Sequence, residues 1–165
     1  MIDIEGLTFF YSDCDRQAIK EIDLRVSDGE FVLITGPSGS GKSSLCRCLN
    51  GLIPHFYGGR ISGRVTVEDI NILKAKTSKA ALKVGMVFQD PENQLIMSSV
   101  EREIAFGLEN IGFSRDVIYS RVEESLETTG IIHLRKRHPT DLSGGEKQKV
   151  AIASVLAMHP KVLVL

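Results

Sequence analysis

Eight consecutive residues, 36–43, have the types and the spacing that bind polyphosphate. They read Gly-Pro-Ser-Gly-Ser-Gly-Lys-Ser and fit the pattern G-x-x-x-x-G-K-[ST] at every fixed position. Glycines let backbone N–H groups approach an anion closely, and the helix expected to follow turns its positive N-terminal end toward the same anion. We name this segment the phosphate loop. It predicts nucleotide contacts from Gly36, Pro37, Ser38, Gly39, Ser40, Gly41, Lys42, Ser43 and Ser44, with Lys42 on the β- and γ-phosphates and the Ser43 hydroxyl on Mg²⁺.

A second candidate anion contact lies at residues 142–148, which read Leu-Ser-Gly-Gly-Glu-Lys-Gln. Ser143 and Glu146 have the spacing of a capping box, which is the purely structural interpretation of this helix start. Each glycine in a helix costs up to ~1 kcal/mol relative to alanine, so stability alone does not explain two in succession. Small residues are useful where an anion must come close to a helix N-terminus. We therefore predict an anion contact at Ser143, Gly144 and Gly145.

The composition is that of an ordinary globular domain. The chain has 165 residues, of which 42% are hydrophobic and 25% charged, and a net charge of −1, which does not favour bulk nucleic-acid binding. No apolar stretch approaches the ~20 residues that span a bilayer, and the N-terminus lacks the pattern of a signal peptide. We expect a cytosolic protein that acts on membranes only through a partner.

Two smaller groups of residues carry no predicted chemistry. The basic cluster at 135–138 is interpreted as a solvated loop, with a phosphate-binding patch as the alternative. Cys14, Cys46 and Cys48 are predicted to be buried free thiols, because no pairing framework is present and Cys46 and Cys48 face different sides of a helix.

Hydrophobic periodicity predicts the elements that position these motifs. The first 30 residues and residues 64–68 alternate as antiparallel strands. Continuous apolar runs at 31–34, 84–88 and 162–165 predict strands buried on both faces, as in a parallel sheet covered by helices. Residues 98–129 predict two helices bounded by Gly112 and Gly130, the first opened by a capping box of Ser98 and Glu101. Helices between strands indicate the α/β class.

The two glycine motifs, about a hundred residues apart and in this order, resemble the nucleotide-binding domain of an ABC-type ATPase. The resemblance extends over the whole chain, although Glu146 stands where the family usually has glutamine. It implies a P-loop NTPase core of the RecA-like kind (residues 1–91 and 142–165) with an N-terminal antiparallel β subdomain, and a helical subdomain (92–141). It further implies that Tyr11 stacks on adenine, that Gln89 helps to bind Mg²⁺, and that Ser143, Gly144 and Gly145 contact the γ-phosphate of ATP held by the opposite subunit of a head-to-tail dimer.

The segments 89–95 and 100–110 are similar to the ATPase component of energy-coupling-factor importers for vitamins and for cobalt or nickel ions. That resemblance implies an ATP-hydrolysing motor subunit on the inner face of the cell membrane, docked on an integral membrane partner near residues 90–109. In the family an aspartate and a glutamate follow a strand like the one ending at Leu165. We therefore expect residues 1–165 to be the N-terminal part of a longer ATPase, with little or no hydrolysis by themselves.

Two other functions compete with this interpretation. A soluble ABC-type ATPase acting on DNA or ribosomes would usually carry long coiled-coil insertions or tandem domains, and no sustained heptad pattern appears. A small-molecule kinase could use the same phosphate loop but would leave the motif at residues 142–148 without a role. Copurification with a membrane protein or with nucleic acid would separate the first two, and phosphoryl transfer to an added metabolite would favour the third.

Overall fold

The computed structural model describes residues 1–165, except for the side chain of Pro91. The chain divides into two compact units, Met1–Val84 and Gly85–Leu165. None of the helices that the structure describes combines the length and the apolar character of a bilayer-spanning segment. The mixture of strands and helices in the two units agrees with the α/β class.

A four-stranded antiparallel sheet is the main element of the first unit. Its strands are β1 (Ile2–Phe10), β2 (Ile19–Val26), β3 (Arg60–Val67) and β4 (Ile70–Asn71), in the spatial order β2-β1-β3-β4. The predicted antiparallel strands at the N-terminus are thereby confirmed. Three short helices accompany the sheet: α1 (Lys42–Leu49), α2 (Leu52–His55) and α3 (Thr77–Ala81).

An irregularity in β1 keeps its apolar side chains on the core side. Ile4 and Leu7 are three residues apart, so a regular strand would place them on opposite faces. The pairing register shifts between them, and Gly6 adopts φ 54°, a value that glycine tolerates. Asp23 of β2 accepts the Gly6 N–H at 2.6 Å. As a result Ile4 and Leu7 are both fully buried.

The prediction of a buried strand at residues 31–34 is wrong. No strand of the described chain pairs with this segment, and Phe31 and Leu33 are 89% and 75% exposed. A strand buried on both faces needs neighbours that satisfy its backbone groups and cover its side chains. The first unit supplies neither for this run, so the segment leads into the phosphate loop without being part of a sheet.

The cysteines only partly follow the prediction. Cys48 on α1 is fully buried and Cys46 is half-buried, but Cys14 lies exposed in the turn after β1. Burial is the main cause that raises the pKa of Cys48 to about 12, so this thiol stays protonated.

The second unit packs three helices around one apolar core. It contains α4 (Val100–Ile111), α5 (Arg115–Thr128) and α6 (Gly144–Leu156), and three 3₁₀ turns (Pro91–Asn93, Ile132–Leu134 and Pro139–Asp141). A two-stranded sheet is formed by β5 (Val84–Met86), whose first residue ends the first unit, and β6 (Val162–Val164). The buried side chains come mainly from one stripe of each helix: Val100, Ile104, Leu108, Val122, Leu126, Val150 and Ala153. The two predicted helices at 98–129 are confirmed, with Gly112 ending the first.

Three details of the second unit differ from the sequence predictions. Ser99, and not Ser98, caps α4 by accepting the Arg102 N–H at 3.4 Å, so the predicted capping box is wrong. The runs at 84–88 and 162–165 form only short strands: Val84 of β5 is buried as predicted, but β6 is only partly covered in the two-stranded sheet, and Leu163 at its centre is 39% exposed.

The third difference concerns the cluster at 135–138. Its first residue, Arg135, pairs with Glu101 of α4 and Glu123 of α5, and its side chain is only 23% exposed. These two carboxylates raise the pKa of the Arg135 guanidinium. Arg135 is therefore a structural link between helices, while the three residues after it are exposed as predicted.

Candidate functional site

The phosphate loop of the first unit requires glycine at position 41. Gly41 is the N-cap of α1 with φ 96°, a left-handed conformation that side chains other than glycine rarely adopt. A Cβ atom there would also overlap the Ala18 carbonyl oxygen, just before β2. Gly36 and Gly39 have positive φ values as well, 151° and 75°. The turn at residues 36–40 is exposed throughout, so its backbone donors are open to an incoming anion.

Lys42 is the cation of this loop. Its Nζ donates to the carbonyl oxygens of Gly36 and Pro37 at 2.8 and 2.9 Å, and it lies 3.5 Å from Ser40 Oγ. Among the described residues, no carboxylate forms a salt bridge with it. The ammonium group is thus held over the loop by neutral acceptors, and its charge remains available to an anion.

The two serines that follow have different surroundings. Ser43 is exposed in the first turn of α1, and its hydroxyl makes no hydrogen bond in the described part of the chain. Ser44 is 7% exposed, and its Oγ lies 2.8 Å from the hydroxyl of Tyr11. Ser43 therefore offers a free oxygen ligand, whereas Ser44 ties the start of α1 to the end of β1.

Tyr11 is fixed from two sides. Its ring meets Phe9 edge to face, with centroids 4.8 Å apart, and its hydroxyl contacts Ser44. Arg47 of α1 lies 3.5 Å from the same hydroxyl, and its guanidinium stacks 4.4 Å from the ring centroid of Tyr57. Sequence analysis missed Arg47 and Tyr57. The aromatic pair at positions 56 and 57, close after the phosphate loop, was the only available signal.

The second unit contains the other predicted residues. Gln89 is exposed just beyond β5, and its side chain makes no hydrogen bond in the part of the chain that the structure describes. Ser143 is the N-cap of α6, and the predicted capping box is present. Glu146 accepts both the N–H and the O–H of Ser143 at 2.8 Å, and these hydrogen bonds lower the pKa of the Glu146 carboxyl.

Nothing inside the second unit requires glycine at the start of α6. Gly144 and Gly145 are exposed and have helical backbone, and a Cβ atom added at either position would meet no atom within 4 Å. Neither conformation nor packing within the described chain explains their presence. The space around these two positions is open to a ligand or to another protein molecule.

Two further charged residues, Glu103 and Lys147, were not found by sequence analysis. Glu103 on α4 is 5% exposed and accepts the N–H groups of Ile96 and Met97 at 2.8 and 2.7 Å. Lys147 on α6 pairs with Glu92 at 2.5 Å. Both side chains fix the stretch between Gln89 and α4, and both looked like ordinary exposed charges in the sequence.

A family model described as ABC transporter matches residues 19–165. The chain belongs to the ABC transporter family. A putative ABC transporter ATP-binding protein of Pyrococcus horikoshii is 46% identical over 165 residues, and one of Methanosarcina mazei is also 46% identical over 165 residues. The match covers 100% of this chain in both cases, but 58% of the first relative and 28% of the second. This ABC transporter sequence thus spans little more than half the length of the Pyrococcus relative.

Solved structures of ABC proteins share the fold. The structure of cbiO1 from Clostridium perfringens, part of the ABC transporter complex cbiONQ, superposes with a TM-score of 0.84 at 38% identity and covers 98% of this chain and 63% of that one. A dimeric ATP-binding cassette bound to ADP and Pi has a TM-score of 0.82 at 28% identity over 99% of this chain and 72% of its own. The predicted P-loop ATPase fold is confirmed.

Proposed function

We propose that this chain is the ATP-binding part of a motor subunit of an ABC importer of the energy-coupling-factor type, and that the whole protein hydrolyses ATP. The observation that carries the proposal is the phosphate loop. Its exposed turn ends in a glycine cap at the start of α1, and the ammonium of Lys42 lies over it with no carboxylate partner among the described residues. This arrangement suits a polyphosphate, which needs many donors and one cation at close range.

The residues of the first unit take the following roles. Lys42 and the loop N–H groups bind the phosphates of ATP, and Tyr11 stacks on adenine. Its ring is already held by Phe9, and its hydroxyl is bonded to Ser44, so little rotational freedom remains to be lost on binding. Ser44 remains a proposed nucleotide contact through its backbone N–H, while its hydroxyl fixes Tyr11.

Ser43 and Gln89 are each proposed as a ligand of Mg²⁺, on the chemistry of its own side chain. The fit rests on their chemistry: Ser43 has an exposed hydroxyl and Gln89 an exposed amide oxygen, neither engaged within the described chain. Both are hard oxygen donors, which Mg²⁺ prefers. The ion would neutralise charge on the phosphate oxygens during transfer to water.

The start of α6 is proposed to close on ATP bound to a second subunit. The support is the empty space over Gly144 and Gly145, which the described chain does not explain. The first N–H groups of α6 would donate to the γ-phosphate, and the Ser143 hydroxyl, which donates to Glu146 in this structure, would turn toward it. A related cassette is dimeric in a structure with ADP and Pi, which supports a pair of subunits, and the head-to-tail arrangement is part of our proposal.

The importer assignment rests on the similarity to cbiO1, which is part of the complex cbiONQ. We infer that this protein docks on an integral membrane subunit at the inner face of the cell membrane, and that the cargo is a vitamin or a metal ion. The membrane subunit would select the cargo, so the ATPase itself carries no cargo site. We propose no nucleic-acid partner. We also propose that residues 1–91 and 142–165 form the nucleotide-binding core and residues 92–141 the helical subdomain.

ATP binding by the full-length protein tests the function. Lys42→Ala removes the one cation placed on the phosphates, so the affinity for ATP is expected to fall about ten- to a hundredfold, the range for a lost charge-assisted hydrogen bond. Calorimetric titration measures the change. Lys20→Ala is the matched control, because Lys20 is exposed on β2 and forms no ion pair in the described chain. Equal ATP affinity of the Lys42→Ala and wild-type proteins would remove the basis of the proposal.

A further inference from the structure

The stretch that follows β5 is closed on itself by side chains. We name residues 88–94, which include Gln89, the glutamine segment. Gln94 Oε1 accepts the Phe88 N–H at 3.1 Å, which joins the two ends of the segment. Asp90 accepts the Glu92 N–H at 3.2 Å and the Asn93 side-chain amide at 2.6 Å. These hydrogen bonds join both the ends and the middle of the glutamine segment, so it forms an internally bonded unit.

One ion pair joins this piece to the helix that begins after Ser143. Lys147 Nζ lies 2.5 Å from Glu92 Oε1. The Lys147 N–H donates to the Ser143 carbonyl at 2.9 Å, so Lys147 belongs to the first turn of α6. The Lys147 side chain is 16% exposed, whereas that of Glu92 is 64% exposed. A lysine so nearly covered needs a carboxylate, and Glu92 provides it.

We propose that Lys147 is a positioning residue that couples the N-terminal turn of α6 to the glutamine segment. The inference rests on the proposed function, in which a polyphosphate binds at Ser143. A displacement of the first turn of α6 toward that anion carries Lys147 with it, and the ion pair transmits the displacement to Glu92 and hence to the closed segment around Gln89. Coupling of this kind is reciprocal, so a contact that fixes the position of the glutamine segment also changes the affinity of the Ser143 end of α6 for the phosphate.

Hydrogen exchange in the full-length protein measures the coupling. With the non-hydrolysable β,γ-imido analogue of ATP and Mg²⁺, amides of residues 92–94 in the wild-type protein are expected to exchange roughly two- to fivefold more slowly than without nucleotide, the range for a partly exposed ion pair. Lys147→Glu and Glu92→Lys each place like charges together, so this nucleotide-dependent slowing is expected to disappear. The double variant Lys147→Glu/Glu92→Lys restores the pair with its charges exchanged and is expected to recover the slowing.

Three further variants separate coupling from general stability. Lys149→Glu makes the same charge change on α6 at an exposed residue that forms no ion pair in the described chain, and it is expected to behave as the wild type. Lys147→Gln removes the charge without introducing repulsion and is expected to lose the slowing while the protein stays folded. Lys147→Arg keeps the charge and is expected to retain it.

The outcomes separate this inference from the proposed function. The role of Lys147 is overturned if Lys147→Gln still shows the nucleotide-dependent slowing of amide exchange. It is also overturned if the double variant recovers no more of this slowing than the single variants show. Failure of the wild-type protein to bind the ATP analogue at all overturns the proposed function instead. Restoration in the double variant with unchanged affinity for the analogue supports the coupling.

Discussion

Alanine at positions 144 and 145 is expected to stabilise the protein and impair its function. The added methyl group enters empty space on helical backbone, and alanine exceeds glycine in helix propensity by up to about 1 kcal/mol. The free energy of unfolding should therefore rise by roughly 0.5–1 kcal/mol per substitution in urea titrations with an unchanged m-value. The same methyl groups stand where a polyphosphate would approach the N–H groups of α6. Loss of one charge-assisted hydrogen bond should weaken ATP-dependent dimerisation of the full-length protein about ten- to a hundredfold, as measured by sedimentation.

Gly130→Ala is the control for this experiment. A Cβ atom at Gly130 also meets nothing within 4 Å, but the residue has φ +68°. The left-handed conformation costs alanine roughly 1–2 kcal/mol, so the same methyl group should lower the free energy of unfolding and leave dimerisation unchanged. Two results would refute the reasoning: a Gly144→Ala/Gly145→Ala protein that dimerises with ATP as the wild type does, or one that is less stable than the wild type.

Three further predictions follow from single contacts. The pKa of the Glu146 carboxyl is lowered from its usual value of 4.5 in the folded state. Its hydrogen bonds to Ser143 therefore stabilise the protein above that pH, and this stabilisation is lost as the pH falls through the folded pKa. In acid titrations the free energy of unfolding should depend less on pH below about 4.5 in Glu146→Gln than in the wild type. Gly41→Ala should lower the melting temperature and ATP affinity together, because the φ of 96° and the Ala18 carbonyl oxygen both exclude a side chain; a wild-type melting curve would contradict this. Glu103→Ala should cost roughly 1–3 kcal/mol in urea titrations by leaving two backbone N–H groups without their acceptor, and Glu103→Gln, which keeps one acceptor oxygen, should cost less.

Local patterns were sufficient to predict the elements whose geometry depends on neighbours in the sequence. The turn at 36–41 and the cap at Ser143 are set by glycine conformations and by hydrogen bonds spanning three residues, so their residue types could be interpreted directly. The helices at 98–129 were equally accessible, because apolar side chains recur with the helical period. Only their exact start was missed, since Ser98 and Ser99 are both capable caps and the structure uses Ser99.

The wrong predictions concern features that depend on distant parts of the chain. An apolar run such as 31–34 becomes a buried strand only where other strands pair with it, and this information does not lie in the run itself. Arg135 looked like a solvated charge because its two carboxylate partners, on α4 and α5, are brought near only by helix packing.

The amino-acid sequence by itself identified the groups that we propose to bind a polyphosphate: the phosphate loop with Lys42, and the serine and two glycines that open α6. Such motifs are short, and their chemistry follows from residue type and spacing. Tertiary structure alone decided how these groups are held. The contacts are the hydrogen bond between Tyr11 and Ser44, the hydrogen bonds from the Ile96 and Met97 N–H groups to Glu103, and the ion pair of Lys147 with Glu92. Each of these contacts joins residues that are between 6 and 55 positions apart, and only folding brings them within hydrogen-bonding distance.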